Sequence, residues 1–130
     1  MPAPTPPEDS GAPSAWQFFR TSTDGCCVFG EELNMLPRYT RAAIIVLMAE
    51  YVSGDVPVGA IKYLRDNIFE LQWSQGDNRF RVLFFRWGPL PVALTAFHSH
   101  RRKTPKVIFG RALDRQRAWR NTFGERPPRQ

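Results

Sequence analysis

Between Ala60 and Phe97 the chain carries four short apolar runs in close succession: "AIKYL", "IFELQW", "FRVLFFRW" and "PVALTAF". They are aromatic and β-branched, and their period is that of strands. "SQGDN" at 74–78 and "GPLP" at 88–91 supply turn residues between them. Strands joined so tightly pair with their neighbours, which predicts consecutive antiparallel strands. This block limits the fold more than any other feature, because the remaining segments must pack against a sheet.

Alternation along the strands gives the faces. In "RFRVLFFRW", Phe80, Val82 and Phe84 share one side, and Arg79, Arg81, Leu83, Phe85 and Trp87 share the other. In "IFELQW", Phe69, Leu71 and Trp73 lie on one side, with Glu70 and Gln72 opposite. One face is expected to receive the helices, and the second sets polar groups among aromatics.

The flanking segments change period. "WQFFRTS" predicts a short aromatic strand, followed by a turn at Asp24-Gly25. "VFGEELNMLP" predicts a short helix, with Phe29, Leu33 and Leu36 at i, i+4 and i+7. A longer helix follows from Pro37, with Ile44, Leu47, Met48 and Tyr51 on its packed face and Gly54 as its stop. A last helix is predicted near Pro105, capped by Thr104, with Ile108, Ala112 and Trp119 in an apolar line and Gly124 at its end. The order β-α-α-β-β-β-β-α predicts a compact α+β domain with an antiparallel sheet.

A chain of 130 residues suits one domain. Hydrophobic content of 42% lets it build a core without covalent staples. Residues 1–14, "MPAPTPPEDSGAPS", read as a disordered Pro-rich tail; 15–124 read as the folded domain and 125–130 as a second tail. Cys26 and Cys27 are adjacent and imply no disulfide framework, so the expected compartment is the cytoplasm. "AAIIVLMA" is too short to span a membrane, and the N-terminus has no apolar signal segment.

Charge separates along the chain. From His98 to Gln130 ten Lys and Arg face two acids, a local +8, while the first 97 residues carry a local −2. Such asymmetry points to a polyanionic partner, and a solubilising tail is its plain alternative. Arg79, Arg81 and Arg86 sit inside or beside an apolar strand, where a charge is costly unless paired or exposed. A guanidinium there suits bidentate phosphate contact; an ion pair with Glu70 across the sheet is the structural alternative. His98 and His100, two apart in an extended segment, point the same way. They lack the third and fourth ligands of a zinc site. Imidazoles titrate at about 6.5 and suit general acid–base work; the rival reading is an ordinary polar position on a solvated loop. Arg101, Arg102, Lys103 and Lys106 crowd a predicted helix N-terminus and make an anion trap. These features fit single-stranded RNA better than duplex DNA.

Taken in order, "WQFF", "LP", "FRVLFF", "ALTAF", "KTPK" and "ALDRQRAW" make a chain, from about Trp16 to Gly124, that resembles the HigB branch of the RelE-type toxins of bacterial toxin–antitoxin systems. The resemblance implies two N-terminal helices on a curved antiparallel sheet and a C-terminal helix. It implies an endoribonuclease that cuts mRNA in the ribosomal A site, beside ribosomal RNA and without a metal or other cofactor. The ribose 2′-hydroxyl would attack the adjacent phosphate. The implied partner is a HigA-like helix-turn-helix antitoxin.

Residue by residue, Arg81 matches the family's strand arginine and Lys103 a recurrent basic position. His98 and His100 fall where relatives carry a general acid or base. Lys62, Arg79, Arg86, Arg101, Arg102 and Lys106 complete the expected RNA contacts. Gln72 and Ser99 stand where relatives often place an arginine and a lysine. The alternative is a non-catalytic RNA- or ribosome-binding protein on the same scaffold.

Overall fold

The computed structural model describes residues 16–22, 25, 27–100 and 103–128. The expected tail at 1–14 and the readings for Asp24, Cys26, Arg101 and Arg102 lie outside these residues. The elements are β1 (Gln17–Phe18), α1 (Val28–Asn34), α2 (Arg38–Ser53), β2 (Ile61–Arg65), β3 (Ile68–Gln75), β4 (Asn78–Trp87), β5 (Leu90–Ser99) and α3 (Lys106–Phe123). The fold is α+β, with two helices before the main sheet strands and one after them.

β2 to β5 form an antiparallel meander, and the whole sheet has the order β1-β5-β4-β3-β2. Its hairpins are tight because the turn residues tolerate positive φ. Asp66 and Asn67 both do so, at 55° and 63°, between β2 and β3. Gly76 and Gly88 serve the next two turns. β1 joins differently: it lies parallel to β5, pairing Gln17 with Val92 and Phe18 with Ala93. Two residues suffice to cover part of an otherwise open edge, and Phe19 N–H extends the contact to the Ala93 carbonyl at 2.9 Å.

Helices cover both faces of the sheet, not one. On the Phe80–Val82–Phe84 face, Trp16 and Tyr51 meet Phe84 at centroid distances of 5.0 and 5.1 Å. On the opposite face, Trp87 meets Trp119 of α3 edge-on at 5.3 Å. The correction has a simple cause. Leu83, Phe85 and Trp87 are too much apolar surface to leave wet, so α3 lays Phe109, Ala112, Gln116 and Trp119 over that side. Ile108, expected on this line, only flanks it, half-buried.

The helix ends follow their residues. Cys27 caps α1, its Sγ accepting from Gly30 N–H at 3.3 Å. Pro37 precedes α2, and Gly54 closes it at φ 81°. Pro105 precedes α3, but Thr104 does not cap it; its hydroxyl is used elsewhere.

Glu32 ties three elements together. Its Oε1 accepts from Thr95 Oγ1 at 2.8 Å, from Ala96 N–H at 3.2 Å and from Arg115 Nη1 at 3.0 Å. Register shifts between Leu83 and Phe84, so β5 carries an extra residue at Leu94. Arg115 donates to the Leu94 carbonyl at 2.8 Å. One carboxylate from α1 and one guanidinium from α3 therefore satisfy the irregular stretch of β5. Replacing the carboxylate (Glu32→Ala) leaves both the strand N–H and the guanidinium without it. The expected loss is about 2–4 kcal/mol of unfolding free energy, read from urea denaturation monitored by tryptophan fluorescence.

Candidate functional site

Arg81 is fully buried, and it faces Glu70, which is 97% buried at its side chain. Arg81 Nη1 lies 3.4 Å from Glu70 Oε2. The same oxygen accepts the Thr104 hydroxyl at 2.7 Å. The strand arginine thus reaches the elbow before α3 through a carboxylate, and does not face solvent itself. The ion-pair alternative for Arg81 is the geometry found. Two charges held away from water are costly unless each keeps its partner, so this chain fixes β3, β4 and the elbow in one arrangement.

Above it lies a groove of about 490 Å³ between β2 and the N-terminal half of α3. Lys62 and Arg65 rise from β2, and Lys103 and Lys106 from the elbow and first turn of α3. The floor is apolar: Arg65 lies 4.3 Å over the Phe109 ring, and Leu64 and Leu113 join it. Lys62 is the cross-strand partner of Glu70, so the groove sits directly beside the buried pair. The groove lining holds four cations and no carboxylate, and one of the four, Arg65, pairs at 3.1 Å with Asp66 at the groove's end. Such a surface holds a phosphate backbone by charge.

The other predicted residues disperse. His98 pairs with Phe80 in register and stacks on its ring at 4.7 Å. Strand alternation therefore puts it on the sheet face opposite Arg81. His100 packs edge-on against His98 at 4.7 Å, and His98 Nε2 lies 3.0 Å from Asn78 Oδ1. Arg86 is on the Phe84 side, its Nε donating to Tyr51 Oη at 3.1 Å and its guanidinium over Phe69. Arg79 shares the Arg81 face, opposite Ser99. Of the predicted set, the structure brings together Lys62, Lys103 and Lys106 in the groove, with Arg81 beneath. It separates these from His98, His100 and Arg86.

Two groove residues were missed in the sequence, Arg65 and Phe109. Arg65 sits beside the Asp66-Asn67 turn, and that dipeptide was the available signal for a hairpin carrying a cation at its end. Phe109 is one position from Ile108, and the shift of the buried face by one residue hid it. Among the described residues, no group of three or more His, Cys, Asp and Glu side chains is placed to hold a metal ion. Among them also, no helix is long and apolar enough to cross a membrane.

Comparison with known proteins gives two findings. Residues 31–117 match the family model described as phage derived protein Gp49-like. A Mycobacterium tuberculosis H37Rv protein named "Probable endoribonuclease HigB1" is 53% identical over 123 residues, covering 95% of this chain and 98% of the relative. The same protein from strain CDC 1551 matches to the same extent.

The buried pair predicts an asymmetry between single and paired substitutions. Arg81→Ala strands the Glu70 carboxylate and should cost about 3–5 kcal/mol of stability. The combination Arg81→Met with Glu70→Leu should recover most of that loss, as read from urea midpoints of the three proteins. A single variant as stable as the parent would mean that the pair does not organise the elbow.

Proposed function

We propose a function from one premise: this chain belongs to the HigB family of RelE-type toxins, and its groove carries the family's endoribonuclease chemistry. The substrate is a single strand of mRNA held in the ribosomal A site. The observation that carries the reading is the convergence of Lys62, Arg65, Lys103 and Lys106 on one groove over an apolar floor.

The chemistry follows from that lining. The ribose 2′-hydroxyl attacks the neighbouring phosphorus, the bond to the 5′-oxygen breaks, and a cyclic phosphate and a 5′-hydroxyl result. Negative charge grows on the phosphoryl oxygens as the attack proceeds, and fixed ammonium and guanidinium groups stabilise it more than they stabilise the ground state. Lys103 is the catalytic residue of this scheme, donating a proton to the departing 5′-oxygen, and the 2′-hydroxyl proton passes to water. Arg81 is a positioning residue. Its charge is neutralised by Glu70, and through Thr104 it sets where Lys103 stands. The scheme assigns His98 and His100 no proton transfer, because they stand across the sheet from the groove.

The partner in this reading is a helix-turn-helix antitoxin of the HigA kind. The outer side of α2 supports a protein partner: Tyr39, Ile45 and Val46 are each more than half exposed there. The site of action is the cytoplasm, with the groove against ribosomal RNA as well as mRNA.

The test is induced expression with growth curves and primer-extension mapping of mRNA ends. Lys103→Ala should relieve growth arrest and cut cleavage about 10²- to 10³-fold. Cleavage in a reconstituted translation mixture supplied with RNA already on the ribosome should proceed at the same rate after the toxin is dialysed against EDTA. His98→Ala combined with His100→Ala should arrest growth like the parent; arrest lost in that variant would return the acid–base role to the imidazoles. RNA that is bound but left intact would leave the alternative, a binding protein on the same scaffold.

A further inference from the structure

We infer that the groove continues along α3 into a second, base-reading section, and that one RNA strand runs through both. The inference rests on the reading of the basic groove as the RNA site. A cavity of about 600 Å³ lies between the Asp66-Asn67 turn and the C-terminal half of α3. It shares Leu113 with the basic groove, and its walls continue the same two elements, β2 into its turn and α3 beyond Leu113. From Lys106 to Asn121 the helix runs roughly 22 Å, enough for a strand several nucleotides long.

The chemistry changes between the two sections. The charged lining of the first is wholly cationic. The second presents three carboxamides, Asn67, Gln116 and Asn121, with Arg117 and Arg120 and the acids Asp66 and Glu125. Acids repel a phosphate backbone, so this section does not simply extend the anion trap. Carboxamides and carboxylates together offer both donors and acceptors, which is what the Watson–Crick edge of an unpaired base requires. The walls are also fixed in advance. Gln116 is 5% exposed and donates to the Asp66 carbonyl at 3.0 Å, which clamps the turn to the helix. Asn67 Nδ2 donates to the Arg86 carbonyl at 3.0 Å, which clamps it to the sheet. Arg117 is held loosely, whereas Arg120 packs over the Phe85 ring at 5.3 Å with its side chain two-thirds buried. Arg117 is 3.6 Å from Asp114 and Arg120 is 3.6 Å from Glu125, and both carboxylates are about four-fifths exposed. The Arg117–Asp114 pair, exposed on both sides, exchanges for a phosphate at little cost. Cleavage therefore takes place in the first section, while the nucleotides beside the cut are discriminated in the second.

The experiment is fluorescence anisotropy at low salt, with dye-labelled oligoribonucleotides of three and of seven nucleotides in each of several base compositions. The parent protein should bind the longer strand more tightly, with a dependence on base composition that the short one lacks. Asn121→Ala combined with Arg117→Ala should remove about tenfold of the affinity for the longer strand and flatten its base preference, an effect of the size of one good hydrogen-bonded contact. Thermal melts confirm that the variant is folded; both positions are exposed. An increment with length and base that survives in the double variant overturns the inference, and so does a parent protein that shows no such increment. Failure of the underlying reading looks different: Lys62→Ala with Lys103→Ala would then bind both lengths as the parent does.

Discussion

The interaction on which this molecule most depends is the buried pair of Arg81 and Glu70. A guanidinium at zero exposure needs a charge partner, and here a carboxylate meets it, held in turn by Thr104. The three residues come from β4, β3 and the elbow. Satisfying one charge therefore fixes how a strand pair and the start of a helix stand relative to each other. The cationic groove is a consequence. Its α3 side is placed by Thr104, and its β2 side is placed by the pairing of Lys62 with Glu70.

A second constraint acts at the other edge of the sheet. β5 carries an extra residue at Leu94, which leaves backbone groups out of register with β4. Glu32 and Arg115 take up the groups that the ladder cannot, and in doing so join α1 to α3 across the sheet edge. α3 is thus held at its start by a hydroxyl on a buried carboxylate and near its middle by an ion pair. Between those points it covers Leu83, Phe85 and Trp87. A helix fixed in this way can form one wall of a long groove without depending on its own N-terminal cap, which it lacks.

Separation of charge from chemistry follows from strand alternation. Residues of one strand that are neighbours in sequence emerge on opposite faces. Arg81 and Phe80 are adjacent, and the first goes to the groove side while the second carries His98 to the other. A cluster that looks dense in "FHSHRRKTPK" is divided in space by this rule, and only its Lys103–Lys106 end reaches the groove among the described residues.

The sequence by itself determined the fold class. Four strand-period runs with turn residues between them, two helices before and one after, allow little else, and each predicted element is present. It also determined the faces of β4, the packed residues Ile44, Leu47 and Met48 of α2, and the family resemblance. Each of these depends on residues close together in the chain, where periodicity and turn propensity operate. Only the tertiary structure decided which charges meet. Whether Arg81 was a free phosphate ligand or the partner of Glu70 depended on α3 closing over that face. Whether the histidines joined it depended on register. Arg65 entered the site because β2 lies beside a helix some forty residues later in the chain. Long-range packing assigns partners to charges, and no local pattern contains that information.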